Sequence, residues 1–201
     1  MKRISLFIIS LALLATAVAQ TPSSVIDKAL GTLNAKGIIT ADYKITSSQG
    51  TSKGSIAMKG NKFRILSDEV KSWYDGKTMW SYSTATQEVN ITNPSQDELL
   101  KSNPYFAARG YKSSFNLPEK ATKSGSYYVI KLTPKKKADF KSVTLYIGVA
   151  NYNIHKAKFI QNDGTEVTIA ISNFKKGVKM PNPFAFNKAL VPKGTEVVDL
   201  R

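Results

Sequence analysis

The side chains that could catalyse a reaction are few in this chain of 201 residues. Cysteine is absent, which excludes thiol catalysis and zinc-thiolate sites. His155 is the only histidine, and no motif around a serine supplies the partners of a Ser-His-Asp triad. A lone histidine near the start of a predicted strand is usually structural or solvent-facing. We therefore predict that the chain is not an enzyme.

Two pairs of adjacent carboxylates, Asp68-Glu69 and Asp97-Glu98, are the remaining candidates for acid–base chemistry. Adjacent strand residues point to opposite faces, so Asp68 and Glu69 are poorly placed to share one proton. The second pair begins a predicted helix, where negative charge complements the helix dipole. The sequence has no phosphate-binding loop, dinucleotide-binding glycine motif or calcium-loop spacing. Neither a cofactor nor a metal site is predicted.

The chemistry that the chain offers is apolar, and both of its tryptophans, Trp73 and Trp80, lie in one short stretch. Asp-Gly at positions 75 and 76 separates two runs of β-favouring residues, which predicts a hairpin with a type I′ turn. This turn would pair Tyr74 with Lys77 and place the two tryptophans on one face. Neither face is cleanly polar. The hairpin therefore either packs on an ordinary core or has one face that lines an apolar pocket.

The elements that would position this hairpin begin after a predicted signal peptide. Lys2 and Arg3, an apolar run and an A-x-A pattern predict a secretory signal peptide over residues 1–19, cleaved after Ala19. We expect residues 20–201 to form one domain with room for a core. Residues 21–24 predict the start of a first helix, with Ser24 and Asp27 as a capping box. Its apolar stripe comprises Val25, Ile26, Ala29, Leu30 and Leu33.

From Ile38 onward apolar residues alternate with polar ones in short runs separated by tight turns, a pattern typical of an antiparallel meander. A short helix is predicted to interrupt the meander. It would begin either at Asn93-Pro94 or at a capping box of Ser95 and Glu98, and a second short helix follows it. Helices this short are marginal alone, so they either cover an apolar surface or form a structural crossover. We predict a mainly β fold with short helices (α+β). About ten or eleven strands would form a strongly curved or partly closed antiparallel barrel.

The charge is strongly positive, with 29 Lys and Arg against 14 Asp and Glu and a net charge of +15. Such a charge favours anionic partners, namely membrane headgroups, acidic proteins or nucleic acid. Predicted export makes nucleic acid the least favoured, and no nucleic-acid partner is expected. Groups such as Lys135-Lys136-Lys137 are most simply interpreted as solvated loop tips.

The stretch YDGKTMWSY at positions 74–82 resembles the D-G-K-x-hydrophobic-W-x-Y strand pair of the periplasmic outer-membrane lipoprotein carrier family, the LolA family. The resemblance extends from about Ile38 to Arg201. The Phe-Ala-Phe unit at 184–186, the Pro-Lys-Gly turn at 192–194 and Val-Val-Asp at 197–199 resemble the end of the family's sequences. The predicted helices at 93–109 lie where the family has its lid helices.

This resemblance implies an unclosed antiparallel β-barrel covered by a helical lid, whose hydrophobic cavity takes the acyl chains of lipoproteins. It implies a soluble, monomeric periplasmic carrier that an inner-membrane Lol ABC transporter loads. The carrier would deliver to an outer-membrane acceptor, itself a lipoprotein of similar fold. The absence of cysteine favours the carrier over the anchored acceptor. Proteobacterial members have a lid-latching arginine where this chain has Gly60, so the lid here would rest on apolar contacts.

Nine residues are the predicted lining of the cavity or lid, although each could instead be an ordinary core position. The rival function, from another class, is an envelope structural or adhesion module whose aromatic sheet face contacts polymer or protein. An exposed aromatic row would favour the module, and a cavity would favour the carrier. The nine residues are Phe63, Ile65, Trp73, Met79, Trp80, Leu99, Leu100, Tyr105 and Phe106.

Overall fold

The computed structural model describes residues 20–34, 36–95, 98–99 and 108–201, which fold mainly as β structure. The predicted signal peptide lies outside these ranges. Thirteen strands form one sheet, which confirms the predicted mainly β fold. Within the described ranges, no helix has the length and apolar character needed to cross a membrane.

Most strands follow one another along the chain with short connections, and the described ranges contain few complete helices. The helices are α1 (Pro22–Leu33), α2 (Tyr111–Ser114) and a 3₁₀ turn (Lys188–Leu190). The strands are β1 (Ile38–Ser47), β2 (Gly50–Lys59), β3 (Lys62–Ser67), β4 (Val70–Tyr74), β5 (Met79–Ser83), β6 (Glu88–Thr92), β7 (Phe115–Asn116), β8 (Thr122–Ser124), β9 (Tyr127–Pro134), β10 (Phe140–Gly148), β11 (Ile154–Gln161), β12 (Glu166–Val178) and β13 (Glu196–Asp199).

The sheet has two open edges, so the barrel is not closed. Its strand order is β13-β6-β5-β4-β3-β2-β1-β12-β11-β10-β9-β7, with β8 paired to β9. Neighbours pair antiparallel except β13, which lies parallel to β6. The long antiparallel pairing of β1 with β12 joins the two meanders in the middle of the sheet. The connection between β6 and β7 therefore starts near one edge and ends at the other.

Helix α1 forms where the sequence predicts it, with a different cap. Thr21 is the N-cap, and its hydroxyl accepts a hydrogen bond from the Ser24 amide at 3.2 Å. Pro22 follows in the first turn, where its missing N–H costs nothing. Val25 and Ala29 are fully buried against the half of the sheet formed by β9, β10 and β11. The apolar stripe thus holds α1 on one face of the sheet.

Of the two helix starts predicted after β6, the structure has the one at Ser95. The Ser95 hydroxyl accepts from the Glu98 amide at 3.3 Å, and Glu98 Oε2 accepts from the Ser95 amide at 2.7 Å. These reciprocal bonds are a capping box. The rest of the predicted lid, residues 100–107, lies outside the described residues.

The β4–β5 hairpin has the predicted faces but a different register. Tyr74 pairs with Met79, and Trp73 pairs with Trp80. The predicted pairing of Tyr74 with Lys77 is wrong by two residues. The reason is the Asp75 carboxylate, whose Oδ1 accepts from the amides of Lys77 and Thr78 at 2.9 and 2.8 Å. A shift of two residues preserves the faces, because side chains alternate with period two.

The predicted type I′ turn is also wrong. That turn requires positive φ at both central residues. In the structure Gly76 has φ +103°, whereas Asp75 is not among the residues with positive φ. The turn therefore centres on Gly76 and Lys77, one residue later than predicted.

Candidate functional site

One face of the sheet is apolar from strand to strand, as the cross-strand pairs show. Ala157 of β11 pairs with Ile169 of β12, which pairs with Ile45 of β1. On the other side of Ala157, Leu145 pairs in turn with Ile130 of β9. Directly paired residues share a face. This row crosses the β9, β10, β11, β12 and β1 strands without a charged side chain.

A second row continues the same face through the first meander. Ile39 pairs with Met58, Met58 with Phe63, Phe63 with Tyr74, and Tyr74 with Met79. The rings of Phe63 and Tyr74 lie 5.4 Å apart. Since Ile39 and Ile45 alternate to the same side of β1, both rows belong to one surface. We call this surface the inner face, and its opposite the outer face.

Helix α1 lies on the inner face and touches both halves of the sheet. Its residues Val25, Ile26 and Ala29 belong to the buried cluster of β9, β10 and β11. Its last residue, Leu33, packs on the cluster of Met58 and Phe63 in the other half. One short helix therefore contacts apolar clusters from strands far apart in the sheet order, so the inner face curves around it.

The middle of the inner face is covered less completely than its two ends. Phe63 is 1% exposed and Ile130 is fully buried, whereas five central residues, four isoleucines and one tyrosine, are only half-buried. We call these central residues the apolar band. The apolar band comprises Tyr43, Ile45, Ile56, Ile169 and Ile171.

Tyr43 is the polar group within the apolar band. Gly54 lies opposite it in β2, and a side chain at Gly54 would collide with the Tyr43 phenol. Burial raises the pKa of Tyr43 above its ordinary value of 10.0, against a hydrogen bond to Ser67 that lowers it, and the charge of Glu69 adds to the increase. Tyr43 therefore stays neutral at physiological pH, and the band is uncharged.

Four of the nine predicted site residues come together on the inner face. Phe63 and Leu99 are buried in one cluster, and Ile65 and Met79 pack against it. Leu99 is 7% exposed, so the described part of the lid segment lies on this cluster. The other predicted lid residues, Leu100, Tyr105 and Phe106, lie outside the described residues.

The two tryptophans lie on the outer face, away from those four. Trp73 is fully buried and Trp80 is half-buried in a cluster that residues 184–191 cover. The Phe186 ring meets Trp73 edge-on, with centroids 5.3 Å apart. On the same face Arg64 pairs with Trp73, and burial lowers the pKa of the Arg64 guanidinium. The six predicted residues that the structure describes therefore lie on two opposite faces of the sheet.

Sequence reasoning left the apolar band out of the candidate list. The signal was present, because Tyr43 and Ile45 alternate with polar residues in β1, and Ile169 and Ile171 do so in β12. What the sequence does not show is that β1 and β12 pair, since more than a hundred residues separate them.

Among the described residues there is no group of three or more His, Asp or Glu side chains able to hold a metal ion. The arrangement is suited to binding apolar chains.

Comparisons with known proteins identify the family that this chain resembles. A family model described as outer membrane lipoprotein carrier protein LolA matches residues 13–164, more than half of the chain. A Vibrio vulnificus outer-membrane lipoprotein carrier protein is 29% identical over 137 residues, covering 68% of this chain and 65% of that protein. That alignment spans less than two thirds of the relative's length. A Photobacterium profundum protein of the same description is 26% identical over 207 aligned residues, covering 98% of this chain and 99% of that protein.

A solved structure shares the fold. It is described as an uncharacterized conserved protein from Thermus thermophilus, and it superimposes with a TM-score of 0.61. The match covers 90% of this chain and 99% of that chain at 15% sequence identity. At this identity the likeness shows the fold alone.

Proposed function

The chain belongs to the LolA family of outer membrane lipoprotein carrier proteins, and we propose that it binds lipoprotein acyl chains on its inner face. The observation that carries the proposal is the apolar band, a half-buried aliphatic surface in the middle of the sheet. A fully packed core would hide these residues completely. An incompletely covered aliphatic surface can take an acyl chain without dismantling the fold.

The energetics of acyl burial determine how such a carrier must work. Each buried CH₂ is worth about 0.8 kcal/mol, so a chain of about 16 carbons yields on the order of 10 kcal/mol gross. Release of that chain into water would be far slower than delivery to another apolar site. We therefore propose transfer by direct contact, from an inner-membrane Lol ABC transporter to an outer-membrane acceptor across the periplasm. Family membership and the predicted signal peptide support this route.

The rival function, an envelope structural or adhesion module, is less well supported. An adhesion module that binds polymer through aromatic stacking requires an exposed aromatic row. Trp73 is 0% exposed and Tyr82 is 3% exposed, both beneath residues 184–191. The aromatic face of the hairpin is therefore an internal surface, and the carrier is the better-supported function.

Adjacent residues of β1 offer a matched test. Ile45 belongs to the apolar band, and Thr46 is exposed on the outer face of the same strand. We expect Ile45→Lys to weaken binding of a triacylated lipopeptide about tenfold or more, because a bound acyl chain would desolvate the ammonium group. Thr46→Lys adds the same charge and should leave binding unchanged. Calorimetric titration of the delipidated protein measures both.

Folding is monitored separately by urea unfolding of each variant. Equal lipopeptide affinities of folded Ile45→Lys and Thr46→Lys would show that acyl chains do not bind the apolar band. Absence of lipopeptide binding by the wild-type chain would refute the carrier function itself.

A further inference from the structure

A groove lies outside the inner face, between the ends of β1 and β2 and residues 177–185. Its two adjoining parts have volumes of about 670 and 620 Å³ and share Ile38, Lys59 and Met180 as lining residues. Both parts are broadly open to solvent, so the groove is a shallow depression of the surface. No residue of the apolar band lines either part. The groove is thus distinct from the proposed acyl site.

The floor of the groove is apolar. Ile38 and Phe184 are each 8% exposed and form a cluster with Ala57, and Val178 and Met180 pack against it. Because these side chains come from three strands, β1, β2 and β12, and from the segment after β12, the floor is an ordered part of the fold.

Two glycines allow the groove to form. Gly37 has φ +95°, and a Cβ built on it would lie 2.9 Å from Gly177 Cα. Gly177 also has positive φ, at +70°. Glycine alone adopts these angles readily and permits such a close approach of two backbones. The start of β1 and the end of β12 meet here for that reason.

The rim of the groove is basic. Lys36, Lys59, Lys62 and Lys179 line it, and all four are exposed. Within the part of the chain that the structure describes, none of the four has an ion-pair partner. Asp75 is the single acidic lining residue, and its Oδ1 already accepts two backbone amides. The four lysines outnumber this one carboxylate, so the rim presents a net positive charge above an apolar floor.

We infer that this groove binds an anionic phospholipid, with its phosphate among the four lysines and an acyl chain along the floor. Lysine ammonium groups bind phosphate as point charges. A free phosphate would leave the apolar floor uncovered, and a zwitterionic lipid would bring its own cation against the lysines. An anionic lipid offers both a negative charge to the lysine rim and an acyl chain to the apolar floor. The inference goes beyond the proposed acyl carrier function and does not rest on it.

Short-chain lipids that stay monomeric in solution test this inference. We expect dihexanoyl phosphatidylglycerol to bind the purified chain at low ionic strength in a calorimetric titration. Dihexanoyl phosphatidylcholine and glycerol 3-phosphate should each bind about tenfold or more weakly, because each lacks one of the two recognised features. In an ¹H–¹⁵N NMR titration, the amide signals of Gly37 and Gly177 should shift, and those of Ile45 and Ile169 should not.

A charge-matched pair of double variants locates the site. Lys59→Glu with Lys179→Glu should reduce phosphatidylglycerol affinity about tenfold or more. Lys44→Glu with Lys53→Glu makes the same change in net charge at a facing pair on β1 and β2, and should have little effect. Should the first variant unfold, Lys59→Gln with Lys179→Gln replaces it. Triacylated lipopeptide binding should persist in the groove variants, so loss of the lipid site is distinguishable from loss of the carrier function.

Several results would overturn the inference. Equal affinity for phosphatidylcholine would mean that the lysines do not recognise the headgroup. Equal affinity for glycerol 3-phosphate would mean that the floor plays no part and that the groove binds simple anions. NMR shifts confined to the apolar band, or equal losses in the two double variants, would place the lipid elsewhere.

Discussion

At the scale of single residues, the side chains of β3, β4 and β5 divide between two different environments. Phe63, Ile65 and Met79 contribute to the inner-face cluster, and Leu99 joins them there from the lid segment. Trp73 packs on the outer face against residues 184–191. The tryptophans therefore stabilise the attachment of the C-terminal segment, and the acyl site proposed above does not include them.

Tryptophan fluorescence should report this division. We expect lipopeptide binding to leave the emission maximum of the native chain unchanged, because Trp73 is fully buried and Trp80 lies on the outer face. In Ile169→Trp the new indole joins the apolar band, and its emission should shift to the blue as acyl chains displace water. Thr168→Trp places an indole on the other face of β12 and should show no shift. A blue shift in the native chain would assign the outer face to the lipid.

At the scale of elements, helix α1 is tethered as well as packed. The Tyr111 hydroxyl donates to Asp27 Oδ1 at 2.9 Å, and Lys112 Nζ donates to Asp27 Oδ2 at 2.8 Å. Tyr111 is 3% exposed, so its hydroxyl group needs an acceptor, and both Asp27 Oδ1 and the Ser23 carbonyl oxygen, at 3.1 Å, lie within reach on α1. The tether joins the helix that lies on the inner face to the end of the segment that connects the two sheet edges.

The tether has a predictable pH dependence. The hydrogen bond from Lys112 lowers the pKa of Asp27 below its ordinary 3.8, and Tyr111 acts in the same direction, although burial opposes both. Because the folded-state pKa is the lower one, this stability is present above pH 3.8 and is lost as the pH falls through the folded-state value. We expect Asp27→Asn to reduce the free energy of unfolding by about 1 kcal/mol at neutral pH.

Urea unfolding at neutral pH and at an acid pH below 3.8 checks this expectation, since protonation of Asp27 should reduce the effect of the substitution at the lower pH. Lys112→Gln, which removes only the exposed ion pair, should cost about 0.5 kcal/mol or less. An equal effect of Asp27→Asn at both pH values would show that the carboxylate charge is not what holds α1.

Two glycines near the end of α1 should respond oppositely to alanine. Gly31 lies in the helix with open space around its Cα, so Gly31→Ala should stabilise the fold by about 1 kcal/mol. Gly37→Ala forces an L-residue to φ +95° and against Gly177 and should destabilise it by about 1 to 3 kcal/mol. Thermal unfolding of both variants compares them directly. Stabilisation by Gly37→Ala would contradict the close backbone approach that forms the groove.

At the scale of the whole molecule, the topology itself explains how an unclosed barrel can be covered. The chain leaves β6 near one edge of the sheet and enters β7 at the opposite edge. Leu99, in the connecting segment, is buried on the inner-face cluster. The connection is thus anchored on the surface that we propose for acyl chains.

The cellular prediction belongs to the whole molecule. Depletion of the protein should leave outer-membrane lipoproteins in the inner membrane, because acyl chains do not cross an aqueous compartment unaided. Fractionated membranes from depleted cells measure the distribution. Complementation with Thr46→Lys should restore it and Ile45→Lys should not, provided both are produced at wild-type levels. A normal distribution after depletion, in cells without a paralogue, would contradict the carrier function.

The local sequence determined where the helix and strands form and which residues share a face of each strand. Alternation of apolar residues determines the strands and the faces of the β4–β5 hairpin, and the apolar stripe of α1 determines its buried side. The resemblance of positions 74–82, taken together with the motifs at 184–186, 192–194 and 197–199, predicted the family and the unclosed barrel. The strands, the faces of the hairpin and the buried side of α1 follow from residues only a few positions apart, where side-chain periodicity and capping hydrogen bonds act.

Only the tertiary structure decided which face of that hairpin is the inner one. Both faces are apolar, so burial alone does not choose between them. The choice is made by Phe186 and Leu190, which come from a distant part of the chain and cover Trp73. The pairing of β1 with β12, which assembles the apolar band, and the parallel pairing of β13 with β6 are likewise contacts between distant segments. Such contacts depend on how the whole chain minimises exposed apolar surface, which no local pattern encodes.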